Sequence, residues 1–323
     1  SSIAGAKAEE TRIMQRSFAY IPFFCYSKHK PSDFDQEKSM EYRGGIAIVT
    51  GASSGIGAAF ARQLVNVASG RSAIPGLPAF DELWLVARRK DRLKALADEL
   101  SATHPMLQLR CVTLDLTEAN KLVLLRHDII ESRKPLTLLI NNAGFGTYGT
   151  FLSTDRELLL KELDLNCRVP AELTSLCAPL MPARSLIINI SSLAAFAPLG
   201  GFALYAATKA FMLSFSVGLA TELRDQDVMV HAFCPGPVKT EFAHIASGGL
   251  RKDVKGGWEP DKAALYCLRQ AAKGKIISVP RLRWRFRMFL AWLFGPIASA
   301  FFAWKFMRRP SSRDKIEDHL PGA

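Results

Sequence analysis

Ile46 to Leu64 reads IAIVTGASSGIGAAFARQL. An apolar, β-branched run enters Gly51-Ala52-Ser53-Ser54-Gly55-Ile56-Gly57, and an Ala-rich segment opens directly on the last glycine. A strand feeding a glycine loop and then a helix leaves the first helical N–H groups, and the positive end of the helix dipole, facing a phosphate. Gly51 suits a tight turn, Gly55 a close approach of backbone to phosphate, and Gly57 close packing of helix on strand. The stretch predicts a dinucleotide cradle at the start of an alternating α/β domain. The same letters spell G-x-S-x-G, which would make Ser53 the nucleophile of a serine hydrolase. That elbow needs upstream strands to supply its oxyanion loop, and this loop follows the first strand.

A second glycine pattern competes with the first. Gly144-Phe145-Gly146-Thr147-Tyr148-Gly149 is a complete GxGxxG, with Asp164 about twenty residues past its first glycine. No helix opens on Gly149, because Thr150-Phe151-Leu152 intervene before Ser153 or Thr154 can cap one. The pattern is a decoy.

Beyond the loop the chain alternates. Apolar runs at 46–50, 83–86, 109–114, 136–140, 185–191, 228–233 and 276–279 are separated by helical segments at 58–67, 90–100, 118–132, 155–180 and 203–224. This predicts a doubly wound α/β fold, a parallel seven-stranded sheet (Rossmann fold) with helices on both faces. Residues 69–82, with two prolines and several turn formers, read as an inserted surface loop. Three regions are expected: an extension at 1–43, the nucleotide-binding catalytic domain at 44–280, and a basic, apolar segment at 281–323.

Composition narrows the functional classes. The chain has 323 residues, 49% of them hydrophobic and 22% charged, enough for a large core. Its six cysteines form no CxxC pair and its six histidines no HExxH, so no metal site or disulfide framework is expected, and a reducing compartment is. Asn189-Ile190-Ser191 is a glycosylation sequon, but it lies in an apolar strand. The net charge of +12 is concentrated near the C-terminus, where Arg281, Arg283, Arg285, Arg287, Lys305, Arg308 and Arg309 flank the uncharged MFLAWLFGPIASAFFAW at 288–304. This pattern predicts a membrane-surface element on the cytoplasmic side, dipping into lipid and too short and too broken at Gly295-Pro296 for a span. A dimerisation arm or a buried terminal helix is the competing reading. The cations are not interleaved along a recognition element, so nucleic acid is excluded as a partner. Ser17–Tyr26 is a short apolar run interrupted by Pro22 and does not form a signal peptide.

Further motifs occupy matching slots. Asp115-Leu116 follows the third strand, Asn141-Asn142-Ala143-Gly144 the fourth, and Ser191-Ser192 the fifth. Tyr205-Ala206-Ala207-Thr208-Lys209 opens a helix thirteen residues after Ser192, and Pro235-Gly236-Pro237-Val238 with Thr240 follows the sixth strand. Together with TGxxxGxG, the region from about Arg43 to Pro280 resembles the short-chain dehydrogenase/reductase family, classical type. The resemblance implies cofactor contacts from Gly51, Ser53, Ser54, Gly55, Ile56, Gly57, Arg88, Arg89, Asp115, Leu116, Asn142, Ala143, Gly144, Tyr205, Lys209, Pro235, Gly236, Val238 and Thr240. It also implies that Lys209 holds the nicotinamide ribose and that Asn166 bends a helix and holds a relay water. A homo-oligomer is expected.

The chemistry can be argued from the residues themselves. Hydride exchange with a carbonyl needs a proton donor for the developing alkoxide and a fixed cation beside that donor. Tyr205 and Lys209, four apart on one helix, stack on the same face. An ammonium so placed, aided by the cofactor's own charge, is expected to lower the phenol below its ordinary ~10. Ser192, at a strand end, can donate to the substrate oxygen. Val86-Ala87-Arg88-Arg89-Lys90 puts cations, with Asp91 the first acid, where an NAD enzyme carries a carboxylate, so NADP(H) is the expected cofactor. The glycine-flanked stretch 241–258, with Phe242, Ile245, Leu250 and Trp258, reads as a lid over a small apolar substrate of acyl, steroid or retinoid type. The alternative outside enzymology is a catalytically idle dinucleotide-binding partner protein.

Overall fold

The computed structural model describes residues 44–251, 254, 256–307, 309 and 311–312. The extension expected at 1–43 lies outside them. The described elements are β1 (Ile46–Thr50), α1 (Gly55–Ala68), β2 (Glu82–Ala87), α2 (Lys90–Thr103), β3 (Gln108–Thr113), α3 (Ala119–Glu131), β4 (Leu136–Asn141), α4 (Arg156–Leu163), α5 (Val169–Cys177), β5 (Leu186–Ile190), α6 (Ala203–Glu222), β6 (Met229–Phe233), α7 (Phe242–Ala246), α8 (Pro260–Ala271), β7 (Ile277–Ser278) and α9 (Leu282–Phe306).

The seven strands form one sheet in the order β3-β2-β1-β4-β5-β6-β7, every pairing parallel. It is the doubly wound sheet that the alternating runs predict. The two-residue strand period sorts its side chains. Ala47 and Val49 of β1 join Leu83 and Leu85 of β2 beneath α1, α2 and α8, where Phe60, Leu64, Leu93 and Leu268 are buried. Ile46 and Ile48 point the other way, with Trp84 and Val86, toward Leu122, Leu125 and Ile129 of α3 and Leu173 of α5. A register shift between Ile46 and Ala47 inserts Thr137 into β4, so that Leu136 and Leu139 share a face. Strand order reverses between β1 and β4. A crevice for ligand opens at the carboxyl ends on either side of such a reversal.

Three elements depart from expectation. The helix foreseen over 155–180 is split into α4 and α5 by a π-helical turn, Asp164–Arg168, in which the Val169 N–H reaches back to Asp164 O. Pro170 explains the break, since its ring would collide with the carbonyl four residues earlier and it has no N–H to donate. The loop at 69–81 carries no helix or strand, yet Ile74 is buried in the core. Strand β7 keeps only Ile277 and Ser278 and stops before Pro280.

The C-terminal helix α9 is two pieces. Gly295 has φ 77 and ψ 172, followed by Pro296, and the axis breaks there. Near its start Trp284 is fully buried against Gly236 and meets Trp258 edge-on at 6.2 Å. Near its end Trp304 lies against Gly200 and Gly201. Between these two footings Phe289, Trp292, Leu293, Phe294, Ile297, Phe301 and Phe302 are exposed.

Candidate functional site

The glycine loop turns at Gly51, whose φ of 67 lies in the left-handed region. A Cβ on Gly57 would collide with the Gly51 carbonyl, so only glycine lets α1 approach the end of β1 this closely. The loop is tied across the switch point to the segment after β4. Asn142 donates through Nδ2 to Thr50 O at 2.9 Å, and Thr50 Oγ1 accepts from the N–H groups of Asn142 and Ala143 at 2.9 and 3.1 Å. Ser54 precedes α1 without capping it, which leaves the first helical N–H groups to a ligand.

Its hydroxyl belongs instead to Arg89, which donates to Ser54 Oγ at 2.6 Å, Ser53 Oγ at 3.0 Å and Glu241 Oε1 at 2.6 Å. Arg92, one helical turn on, donates to Glu241 Oε2 at 2.8 Å. Burial works to raise the Glu241 carboxyl, but hydrogen bonds from Arg92, Ser54 and Arg89 outweigh it and hold the group at about 2. Arg88 points away, reaching Asp115 Oδ2 at 3.3 Å, while Asp115 Oδ1 accepts from Thr117. Leu116 is buried beneath this turn. Two guanidinium groups and the Ser54 hydroxyl converge beside the cradle on one carboxylate, with the Ser53 hydroxyl held by Arg89, a donor set that fits a phosphate. Sequence reasoning missed Arg92 and Glu241, although the three-residue spacing of Arg89 and Arg92 on one helix face was a usable signal. Ser53 faces an arginine, which argues against a hydrolase nucleophile, since such a serine needs a base.

The expected acid/base residues are brought together by β5, α6 and the π turn. Tyr205 and Lys209 lie one turn apart on α6, with Nζ 5.6 Å from the Tyr205 ring centre. Lys209 Nζ donates to Ile190 O at 2.9 Å. Ser192, at the end of β5, hydrogen-bonds the Tyr205 hydroxyl and accepts from the Ala194 N–H at 3.1 Å. Asn166 sits in the π turn with its side chain fully engaged. Oδ1 accepts from Phe145 N–H at 3.1 Å, and Nδ2 donates to Phe145 O at 2.7 Å and Thr208 Oγ1 at 3.0 Å. The decoy glycines explain themselves here. A Cβ on Gly146 would lie 2.5 Å from Tyr205 Cδ2, and one on Gly144 2.8 Å from Asn166 Oδ1. They are clearances for these two side chains.

Above Tyr205 lies an aromatic roof. Phe202 stacks on its ring at 4.2 Å, Phe242 of α7 is 5.3 Å away, and Tyr148 meets Phe202 edge-on at 4.7 Å. Of the four apolar residues expected in a lid, only Phe242 reaches the roof. Ile245 and Leu250 are exposed, and Trp258 pairs with Tyr266 and Trp284. Pro235, Gly236, Val238 and Thr240 run from β6 toward the cradle, where Thr240 packs on Gly55. Ile56 packs on the core beneath.

Burial governs the protonation of the pair, against the expectation that Lys209 lowers the phenol. Loss of water raises Tyr205 well above its ordinary value despite the Ser192 hydrogen bond. The same burial lowers Lys209 from 10.5 to about 8. Folded Lys209 therefore holds its proton less tightly than unfolded Lys209. Its burial costs stability below about pH 8, and the cost fades toward 10.5, where the unfolded chain also gives up the proton. Lys209→Met should stabilise the ligand-free chain by about 1–3 kcal/mol at pH 7, with the gap closing near pH 10. Urea unfolding at both pH values checks this, and a variant less stable than wild type at pH 7 contradicts it.

Other expected features can be placed directly. Asn189 of the sequon is buried, donating to Ser216 Oγ and accepting from Asn141. Among the described residues the cysteines are free and no cluster could hold a metal ion.

The short chain dehydrogenase family pattern matches residues 45–248. A serine 3-dehydrogenase of Agrobacterium fabrum is 31% identical over 214 residues, which are 64% of this chain and 76% of that one. A very-long-chain 3-oxoacyl-CoA reductase of Pyricularia oryzae is 34% identical over 193 residues, 58% of this chain and 55% of the relative's length. Among solved structures, a short-chain dehydrogenase of Sphingobium yanoikuyae in complex with NADPH superposes with a TM-score of 0.64 at 30% identity, covering 77% of this chain and 94% of that one.

Proposed function

Because the chain belongs to the short-chain dehydrogenase/reductase family, and is thereby a nicotinamide-dependent oxidoreductase, we propose that it uses NADPH to interconvert a carbonyl and a hydroxyl group on an apolar substrate. The observation that carries this reading is Tyr205 held between Ser192 and Lys209 beneath an aromatic roof. When bound, the cofactor supplies the hydride. Tyr205 delivers the proton, Ser192 steadies the substrate oxygen, and Lys209 holds the ribose and keeps the phenol in place. Asn166 shapes the π turn and fixes the Phe145 backbone next to Gly146, on which the Tyr205 ring lies. The cradle from Gly51 to Gly57 receives the pyrophosphate. Arg89, with Arg92, favours a 2′-phosphate over a free 2′-hydroxyl.

An apolar substrate suits the roof, and the fungal relative acts on a long acyl chain by its name. The serine 3-dehydrogenase acts on a polar one by its name. An idle cofactor-sensing protein would have no use for an intact Ser192, Tyr205 and Lys209. NADPH oxidation by the full chain, followed with a panel of apolar ketones and aldehydes and with serine as the polar control, separates these readings. Turnover of the apolar carbonyls supports the proposal, and none with any of them contradicts it.

The second part of the proposal is attachment to the cytoplasmic face of a membrane through α9. Its exposed aromatic and aliphatic side chains are each worth ~1.5–3 kcal/mol on transfer from water, and cations beside anionic lipid add ~1 kcal/mol apiece. Cutting the chain at Arg281 would be a poor test, because Trp284 is part of the core around Gly236. Phe289→Ser with Leu293→Ser leaves Trp284 and Met288 in place and should weaken pelleting with anionic vesicles by at least about tenfold. Unchanged pelleting contradicts the assignment. No pelleting of either form, with a change in oligomer size, means a dimerisation arm.

A further inference from the structure

Two guanidinium groups stand over the aromatic roof. Arg309 Cζ lies 5.3 Å from the centre of Phe202, the ring that stacks on Tyr205. Arg251 Cζ lies 5.7 Å from the centre of Tyr148, which meets Phe202 from the other side. Neither forms an ion pair among the described residues. Arg309 comes from beyond α9, on a tail pinned to the loop after α7. Ser312 donates through its N–H to Ser247 O and through its hydroxyl to Gly248 O, each at 3.2 Å, and Ser311 is buried. Trp304, pressed on Gly200 and Gly201, fixes the approach from the other end.

The environment of Arg309 is unusual for a cation. Its Nη1 is cut off from solvent and has no hydrogen-bond partner among the described residues. Burial pulls the guanidinium below its ordinary value; an attraction from Tyr148 opposes this, and a smaller like-charge repulsion from Arg251 adds to it. A buried donor without an acceptor and two like charges drawn together are both unfavourable unless an anion joins them. A ring face offers a cation only partial compensation. An oxyanion between the two would take both forks at once, and guanidinium geometry matches it bidentately.

We infer that the substrate is an apolar molecule bearing an oxyanionic group, a carboxylate or a phosphate, a few atoms from the reacting carbon, and that Arg309 and Arg251 select for it. The inference rests on Tyr205 marking the reacting end, as proposed above. It gives the C-terminal tail a role in specificity as well as in attachment.

Binding of 4-oxo-4-phenylbutanoate and of its methyl ester to the full chain, measured by calorimetry with NADP+ present, tests this without requiring turnover. Wild type should bind the acid at least about tenfold tighter than the ester. Arg309→Met should bring that ratio close to one, and Arg309→Lys should restore part of it, since a point charge remains without the fork. Phenacyl phosphate in place of the acid shows which oxyanion is preferred. Equal affinities for acid, phosphate and ester in wild type overturn the inference, and so does an acid-to-ester ratio unchanged in Arg309→Met. Selection for the acid through Arg309 without NADPH oxidation sustains the inference and overturns only the proposed NADPH-dependent carbonyl reaction.

Discussion

Tyr205→Phe should cut turnover by roughly 10²–10⁴-fold, the usual worth of a positioned general acid, while NADPH binds nearly as before. The ring would still stack under Phe202 and fill the clearance left by Gly146. What disappears is the hydroxyl that Ser192 holds and that stands one turn from Lys209. Because burial raises the phenol, Tyr205 is a proton donor at neutral pH in the ligand-free chain, which suits reduction of a carbonyl. Rates on a substrate found in the ketone panel, with NADPH dissociation constants measured alongside, decide the matter. Retention of most activity would place the proton elsewhere.

Arg89→Ala should weaken NADPH binding by roughly ten- to a hundredfold and leave NADH binding little changed, the loss of one or two charge-assisted phosphate contacts. Arg89 is preferred to Arg88 for the test because it faces Ser53 and Ser54 of the cradle, whereas Arg88 leans out to Asp115. Glu241 now holds the two guanidinium groups that a 2′-phosphate would need. Binding therefore has to displace a carboxylate, and Arg89→Ala removes both the contact and part of that competition. Fluorescence titration of both cofactors gives the numbers. Equal constants for NADPH and NADH in wild type would contradict the assignment.

The strands and the cradle were legible because their signals are local. IAIVT followed by three spaced glycines states strand, turn and helix within one stretch, and the period of two in β1 and β2 sorts the core without reference to anything distant. Tyr205 and Lys209 were legible for the same reason, being one turn apart. Pro170 was in plain view, but a proline in a long apolar helical pattern signals only some break, and the π turn that answers it depends on Asn166 meeting Phe145, twenty-one residues away. The contacts of Glu241, Arg309 and Trp284 were invisible for a different reason. Each acts across the fold, Glu241 on Arg89, Arg309 on Phe202 and Trp284 on Gly236, and no spacing rule links such pairs. The fate of the uncharged run at 288–304 is intermediate. Its apolarity is local, but its break at Gly295 leaves one half rooted beside Gly236 and the other beside Gly200.

The most direct test of the account is the fate of the hydrogen at C4 of the nicotinamide. Full-length protein would be incubated with NADPH deuterated at the transferred position and an apolar ketone from the panel, and the alcohol examined by mass spectrometry and NMR. The account predicts an alcohol with one deuterium on the carbinol carbon, formed by wild type and not by Tyr205→Phe. Alcohol without deuterium, or NADPH bound and left unoxidised in the presence of every carbonyl offered, would contradict it.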